Sequence, residues 1–193
     1  MSFYEKISAE ELEKYAEASG LSGKTQIDLD FFVNFIKKGD DVLEVGCGSG
    51  RIGRKLSGFT RYVGVDTSQE YLEYFSKRTK DAAELICDDF LEYKTKKKFN
   101  AIIFPWAVLW EWSREDQVLV IQKAKSFLKD GGYILIDTPT SDTKHNQVDG
   151  YNPTKIYFDE WLPIFKEIGF SKIDSKILKT HNSRKREITI LQK

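Results

Sequence analysis

With 193 residues, this chain is long enough for one well-buried domain. Its composition, with 40% hydrophobic and 31% charged residues, excludes a disordered protein. Thirty acidic side chains balance thirty basic ones, so no overall field favours nucleic acid or an anionic membrane. No apolar run approaches the roughly 20 residues that span a bilayer, and we expect no signal peptide. Cys47 and Cys87 lack a CxxC partner, which is typical of a reducing compartment. We therefore predict a cytoplasmic protein without a metal site.

Two helices are predicted before the first strand. Ser8 and Glu11 have the spacing of a capping box, which predicts a helix over about 9–19. A second predicted helix carries apolar residues at the spacing of one helix face, namely Leu29, Phe32, Val33 and Ile36. We expect residues 1–38 to form a helical cap on the core. Tyr15 in the first helix is a candidate substrate contact, although simple packing also accounts for it.

A glycine-rich segment follows the first predicted strand, residues 42–45. Its glycines are Gly46, Gly48, Gly50 and Gly53. Glycine accepts positive φ and lets a ligand approach the backbone, and a helix that starts near Ser49 would direct free N–H groups toward an anion. The segment therefore predicts a nucleotide-type site. Residues 48–53 also match the dinucleotide fingerprint GxGxxG, so the loop alone does not identify the nucleotide.

Strands and helices alternate along the rest of the chain. Four more strands are predicted at 62–66, 84–87, 101–104 and 133–136, and helices at about 68–80 and 113–128. A polar loop over 138–155 and a helix from about Asp159 come next. Two final segments, 170–178 and 186–191, alternate apolar with polar residues and predict an antiparallel hairpin. This order predicts an α/β fold with a doubly wound, mostly parallel sheet.

Five short motifs in this order resemble the class I S-adenosylmethionine-dependent methyltransferases. They are residues 44–50 (EVGCGSG), 64–68 (GVDTS), 87–90 (CDDF), 128–132 (LKDGG) and 168–170 (IGF). The resemblance covers most of the chain from Leu29 and implies seven strands, with the last inserted antiparallel beside the sixth. It implies one methyltransferase domain over 1–193, with a Rossmann-like core over 39–193. A dehydrogenase would need a further substrate domain, so the methyltransferase interpretation is favoured.

The resemblance also implies S-adenosylmethionine as the cofactor and S-adenosylhomocysteine as the product. Glu44 would lie near the amino acid portion, Asp66 would accept both ribose hydroxyls, and Asp88 would accept from the adenine amino group. Tyr71 would stack on the adenine. The full predicted cofactor-binding set is Glu44, Gly46, Cys47, Gly48, Gly50, Asp66, Thr67, Tyr71, Asp88, Asp89, Phe90 and Phe104.

The acceptor pocket is expected beyond the fourth strand, where the chain reads Phe104-Pro-Trp106. This segment lacks the Asn/Asp-Pro-Pro-aromatic motif of base and glutamine amino-group methylation, and the Pro-Cys pair of pyrimidine carbon methylation. Trp106 and Trp110 are candidate acceptor contacts, as flat rings suited to a flat or cationic molecule. His145, in the 138–155 loop, is the one histidine placed to act as a base, but an exposed histidine without a role is the simpler interpretation.

Methyl transfer from a sulfonium is an in-line displacement that mainly requires alignment and exclusion of water, so no catalytic residue need be visible. We expect an N- or O-methyltransferase of a small molecule, a monomer or homodimer, with no nucleic-acid or membrane partner. An RNA or protein methyltransferase is an alternative, although it needs a basic groove that the neutral composition does not suggest. A cofactor-binding module without catalysis is the other alternative.

Overall fold

A seven-stranded sheet forms the centre of the computed structural model, which describes residues 4–18, 26–143, 152–179 and 185–193. The strands are β1 (Asp41–Val45), β2 (Arg61–Asp66), β3 (Ala83–Cys87), β4 (Phe99–Phe104), β5 (Leu128–Pro139), β6 (Lys172–Lys179) and β7 (Lys185–Gln192). Their order is β3-β2-β1-β4-β5-β7-β6; the first five strands pair in parallel, and β7 runs antiparallel between β5 and β6. The predicted fold class is confirmed.

Helices surround this sheet. They are α1 (Ala9–Ala18), α2 (Ile27–Phe35), α3 (Gly53–Leu56), α4 (Gln69–Arg78), α5 (Arg114–Phe127) and α6 (Phe158–Ile168), with 3₁₀ turns at Tyr4–Lys6 and Val108–Glu111. The predicted capping box exists, because the Ser8 N–H donates to Glu11 Oε2 (2.7 Å) and the Glu11 N–H to Ser8 Oγ (3.3 Å). None of the helices in the described ranges is long and apolar enough to cross a membrane.

Strand residues alternate between two apolar layers because successive side chains point to opposite faces. Leu43, Val45, Ile102 and Phe104 belong to the cluster that includes α5 and α6. Their neighbours Val42, Ala101 and Ile103 belong to the cluster on the opposite face, which includes α2 and α4. A third, smaller cluster joins α1 to α4 through Leu12 and Tyr71. The N-terminal helix therefore packs over one end of the sheet.

Three local predictions differ from the structure. The helix after the glycine loop does not start near Ser49; α3 is one turn that starts at Gly53, because Gly50 has φ +83° and its N–H closes a turn onto Cys47 O (3.0 Å). β5 extends to Pro139, into the predicted loop. On α2, Val33 is 37% exposed, although the other predicted face residues are buried. His145 lies outside the described residues.

Candidate functional site

A cavity of about 590 Å³ opens at the carboxyl ends of β1, β2 and β4. In doubly wound sheets this edge holds ligands, because loops from neighbouring strands diverge there. Beyond the polar groups discussed below, its wall includes side chains from the N-terminal segment, namely Tyr4, Leu12, Glu13 and Ala16. The predicted cap residues therefore close one side of the cavity.

The glycine loop between β1 and α3 is shaped by close contacts at its glycines. Gly46 has φ +69°, and a Cβ there would lie 2.3 Å from Val108 Cγ2. Gly46 and Cys47 both donate their N–H groups to Val65 O, at 2.8 and 3.2 Å. These two amides are thus engaged with β2. The loop therefore offers a ligand a backbone surface that it can approach closely, and these two N–H groups are not available to bind an anion.

Asp66, the last residue of β2, connects the loop to the start of α4. Its Oδ2 accepts from the Gly48 N–H (2.8 Å) and its Oδ1 from the Ser68 N–H (2.9 Å). Burial raises the pKa of Asp66, while these backbone hydrogen bonds act in the opposite direction. The backbone N–H of Thr67 also hydrogen-bonds to this carboxylate, so of its about four lone-pair positions one remains for a ligand. Asp66 lines the cavity and presents an acceptor to it.

Glu44 lies at the bottom of the cavity and is only 2% exposed. The Tyr62 hydroxyl donates to its Oε2 at 2.6 Å. Burial raises the pKa of Glu44 to about 8, against the opposing effects of the Tyr62 hydrogen bond and the Arg51 charge. Cys47 nearby is also buried, which raises the pKa of its thiol, so it behaves as a packing residue.

Arg51 provides positive charge beside the loop, and its guanidinium pairs with Asp28 of α2. Arg51 Nη1 donates to Asp28 Oδ1 at 3.2 Å, and Nη2 pairs with Oδ2. Burial acts to lower the pKa of Arg51, but the charge and hydrogen bond of Asp28, together with the charges of Asp137 and Glu44, raise it overall. The guanidinium also lies 5.9 Å from the centre of the Trp106 ring. Among the described lining residues, Arg51 is the only basic one.

The predicted adenine contacts meet at the β3 end of the cavity. Asp88, Asp89, Phe90 and Tyr71 all line it, as does Thr67 of the predicted cofactor-binding set. Two other predicted cofactor residues do not. Phe104 packs behind Phe90 with its ring centre 5.8 Å away, and Gly50 faces the Phe75 ring, which a Cβ would approach to 2.3 Å.

Tyr71 fixes the cap to the core. Its hydroxyl lies 2.7 Å from Tyr4 O and 2.8 Å from Ile7 O. Its side chain is only 4% exposed, and it packs with Leu12 of α1. These contacts show that Tyr71 anchors the N-terminal segment. Its stacking on a bound adenine stays a prediction.

Residues 105–112, which we call the acceptor segment, form the opposite side of the cavity. Trp106, Val108, Glu111 and Trp112 line it. Trp110 does not: it is 3% exposed, and its Nε1 donates to Ile156 O (3.2 Å), which directs the indole into the core. Tyr15 is 41% exposed and outside the lining as well. The positions of these two side chains give no support to the predicted acceptor contacts.

Several residues of the site were not singled out from the sequence. Arg51 and its partner Asp28 belong to this group, as do Asp137 and Arg186 beneath the acceptor segment. Asp137 could have been predicted from the sequence, because it is an acidic residue at the carboxyl end of an apolar run, as Asp66 is. Asp28 and Arg186 had none, since their partners are distant in the sequence.

Residues 42–132 match the family model described as a methyltransferase domain, which confirms the resemblance predicted from the motifs. No curated protein matches the sequence. Among solved structures, an S-adenosylmethionine-dependent methyltransferase from Clostridium acetobutylicum is 14% identical, with TM-score 0.74 over 95% of this chain and 97% of that one.

Two further structures have the same fold. The 1,6-didemethyltoxoflavin-N1-methyltransferase of Burkholderia thailandensis, with bound 1,6-didemethyltoxoflavin and S-adenosylhomocysteine, is 13% identical, with TM-score 0.72 over 86% of this chain and 76% of that one. The magnesium protoporphyrin IX methyltransferase of Synechocystis PCC 6803, with bound SAM, is 14% identical, with TM-score 0.66 over 86% and 76%.

Proposed function

The chain carries a methyltransferase domain on the fold of the class I S-adenosylmethionine-dependent methyltransferases, and on this premise we propose that it methylates an N or O atom of a small-molecule acceptor. The observation that carries the proposal is the convergence of Glu44, Asp66 and Asp88 with the glycine loop on one cavity. Each contributes at the end of a different parallel strand or just after it, where this class of sheet holds a ligand.

The described residues offer a matching group for each part of S-adenosylmethionine. Asp66 retains acceptor capacity for a ribose hydroxyl, and Asp88 can accept from the adenine amino group. Phe90 supplies an apolar wall for the base. At the methionine end, Glu44 suits the ammonium group and Arg51 suits the carboxylate, because each carries or can acquire the opposite charge.

Bound S-adenosylmethionine supplies a methyl group already activated by the sulfonium charge. The chain has then to hold an acceptor atom in line with that methyl group and to keep water away. The indoles of Trp106 and Trp112, with Val108 between them in the sequence, are suited to both tasks because they are large and flat.

The charge of the cavity favours a neutral or cationic small molecule over RNA. Its described lining carries six acidic residues, namely Glu13, Glu44, Asp66, Asp88, Asp89 and Glu111, against the single cation Arg51; with its pKa of about 8, Glu44 is largely protonated near neutral pH, so the negative charge comes from the other five. A phosphate backbone would be repelled by such a wall. The toxoflavin and protoporphyrin methyltransferases of the same fold are also named for small aromatic acceptors, which supports the same class.

Calorimetry with S-adenosylhomocysteine tests the cofactor half of the proposal. We expect Asp66→Ala to weaken binding by about 10- to 100-fold, since a hydrogen bond to a charged group contributes about 1.5–3 kcal/mol. Asp130→Ala is the matched control, because that carboxylate is fully exposed and remote from the cavity. Equal affinities for the two variants would contradict the assignment of Asp66.

Transfer of a labelled methyl group to separated cell fractions tests the acceptor half. We expect labelled product in the small-metabolite fraction and none in tRNA, ribosomal or protein fractions. Label confined to a macromolecular fraction would favour the RNA or protein alternative. Binding of S-adenosylhomocysteine without turnover in any fraction would favour a non-catalytic module.

A further inference from the structure

The acceptor segment begins with two residues in an unfavourable backbone conformation. Trp106 has φ 51° and Ala107 has φ 62°, and they are the non-glycine residues with positive φ in the described part of the chain. Residues with a Cβ avoid this left-handed region, so such a pair persists only where its surroundings hold it. The turn decides where the Trp106 ring points and where the following 3₁₀ turn starts.

Asp137, near the end of β5, holds both residues of this turn. Its Oδ2 accepts from the Trp106 N–H at 2.9 Å, and its backbone oxygen accepts from the Ala107 N–H at 2.7 Å. Asp137 is completely buried. A buried carboxylate that accepts a backbone N–H makes a strong, directional hydrogen bond, so these two bonds specify the turn.

Arg186 of β7 fixes Asp137 in turn. Its Nε donates to Asp137 Oδ1 (2.7 Å) and its Nη2 to Oδ2 (2.8 Å), in a two-pronged geometry that locks the carboxylate plane. Arg186 is 5% exposed. A buried ion pair is often no more stabilising than an apolar pair of the same shape, so stability alone does not account for it.

We propose that Asp137 and Arg186 are positioning residues for the methyl acceptor: the pair holds the left-handed Trp106–Ala107 turn and thereby aims the Trp106 ring into the cavity. The acceptor role of that ring rests on the proposed function, but the positioning itself does not. Neither side chain reaches the lining, so both act through the backbone of the acceptor segment. The antiparallel hairpin thus contributes to the site from the far side of β5.

Acrylamide quenching of Trp106 fluorescence tests this directly. The Trp106 contribution is the difference between each protein and its Trp106→Phe counterpart, which removes the signals of the other tryptophans. We expect the neutral double variant Asp137→Asn/Arg186→Gln to raise the Trp106 quenching constant by about twofold, because the ring loses its fixed orientation. Asp142→Asn is the control, since Asp142 pairs with Lys185 of the same strand at the surface.

Two further variants separate positioning from general stability. Ala107→Gly in the double-variant background should return quenching toward the wild-type value, because glycine adopts positive φ without steric cost. Arg186→Lys keeps the buried charge but loses the two-pronged geometry, so it should give an intermediate value in a folded protein. Loss of stability with unchanged Trp106 quenching in both Arg186→Lys and the double variant would overturn the proposal.

S-adenosylhomocysteine affinity distinguishes this proposal from the proposed function. We expect the double variant to bind the product within about twofold of wild type, because the ribose and adenine contacts are untouched. If wild type itself does not bind, the proposed function fails while the quenching result still stands. If the double variant alone loses binding, the pair supports the whole cavity and the specific positioning role is refuted.

Discussion

The two ends of the cavity are built in different ways. At the cofactor end, the carboxylate of Asp66 is held from nearby in the sequence, by Ser68 two residues on and by Gly48 eighteen residues back, whereas Tyr71 reaches Tyr4 sixty-seven residues away. At the acceptor end, Trp106 is bonded to Asp137, thirty-one residues away, and Trp110 to Ile156, forty-six residues away. The comparison shows that local motifs can specify a cofactor site, whereas the acceptor site depends on contacts that form only in the folded protein.

The two ends pack tightly together where Gly46 of the glycine loop meets Val108 of the acceptor segment. A Cβ on Gly46 would lie 2.3 Å from Val108 Cγ2, closer than van der Waals contact permits. Because the contact leaves no free space, a larger side chain at position 46 must displace Val108, and a shift of Val108 must displace the glycine loop. The two ends are therefore mechanically coupled, although their chain segments are far apart.

The largest expected effect separates the two tryptophans of the acceptor segment. Trp110→Ala should lower the free energy of unfolding by about 3–5 kcal/mol, since it removes a buried ring and its hydrogen bond. Trp106→Ala should cost only about 1 kcal/mol, because that ring is half-buried against the cavity. Urea denaturation of both variants measures the difference. Equal costs would show that the two rings do not divide into a core residue and a cavity residue.

An intermediate effect is expected at the contact between the two ends. Gly46→Ala should destabilise the protein by about 3 kcal/mol, from overpacking against Val108 together with positive φ. Gly39→Ala is the matched control, because Gly39 has φ +82° with no atom within 4 Å of the added Cβ, so only the conformational cost of about 1 kcal/mol applies.

The second variant in this series is Val108→Ala in the Gly46→Ala background. It should recover part of the lost stability, because it removes the nearest methyl group but leaves the Val108 Cβ position, 3.1 Å away. Denaturant midpoints of the two single variants and the double variant measure the coupling. Strictly additive costs would mean that the ends are independent.

A further expected effect is a pH dependence at the cofactor end. The folded-state pKa of Glu44 is about 8 and its ordinary value 4.5, so between these values the folded state binds one more proton than the unfolded state. The contribution of Glu44 is therefore fully present below about pH 4.5 and is lost as the pH rises through 8. We expect a loss of about 3–4 kcal/mol in unfolding free energy from pH 5 to 8, relative to Glu44→Gln, since each pH unit in this window costs about 1.4 kcal/mol.

Glu44→Gln serves as the reference because its amide oxygen can still accept from the Tyr62 hydroxyl, while its side chain does not titrate. The other titrating groups occur in both proteins, so they largely cancel in the difference. Urea denaturation at four pH values measures it. A difference that stays constant from pH 5 to 8 would show that Glu44 is already ionised in the folded protein.

Much of the fold was predictable because its signals are periodic and local. The apolar runs of β1, β2 and β4 and the cap at Ser8 follow from the sequence. The start of α3 was not predictable, since the turn at Gly50 depends on the Phe75 ring against which this residue packs. The exposure of Val33 was missed for a similar reason: helical periodicity predicts a face but not how far its neighbours extend over it.

In the candidate site, too, some residues are predictable from the sequence and others are not. The resemblance of short motifs to the methyltransferase family predicts Glu44, Asp66 and Asp88 as cofactor residues, and all three line the cavity. The aromatic character of Trp110 predicts an acceptor contact, whereas its packing against Ile156 and Tyr157 places the ring in the core. Sequence spacing predicts which residues share an edge of a sheet, but it does not predict which way a side chain turns.

The sequence by itself therefore determined the α/β fold class, the glycine loop and the acidic residues that surround this loop. Hydrophobic periodicity and short motifs carry this information because they act over a few residues. Only the tertiary structure decided the acceptor end. The Asp137–Arg186 pair and the left-handed turn above it depend on β7 being inserted beside β5. Such contacts bring together residues whose separation in the chain carries no pattern, and their energies exist only once the sheet is assembled.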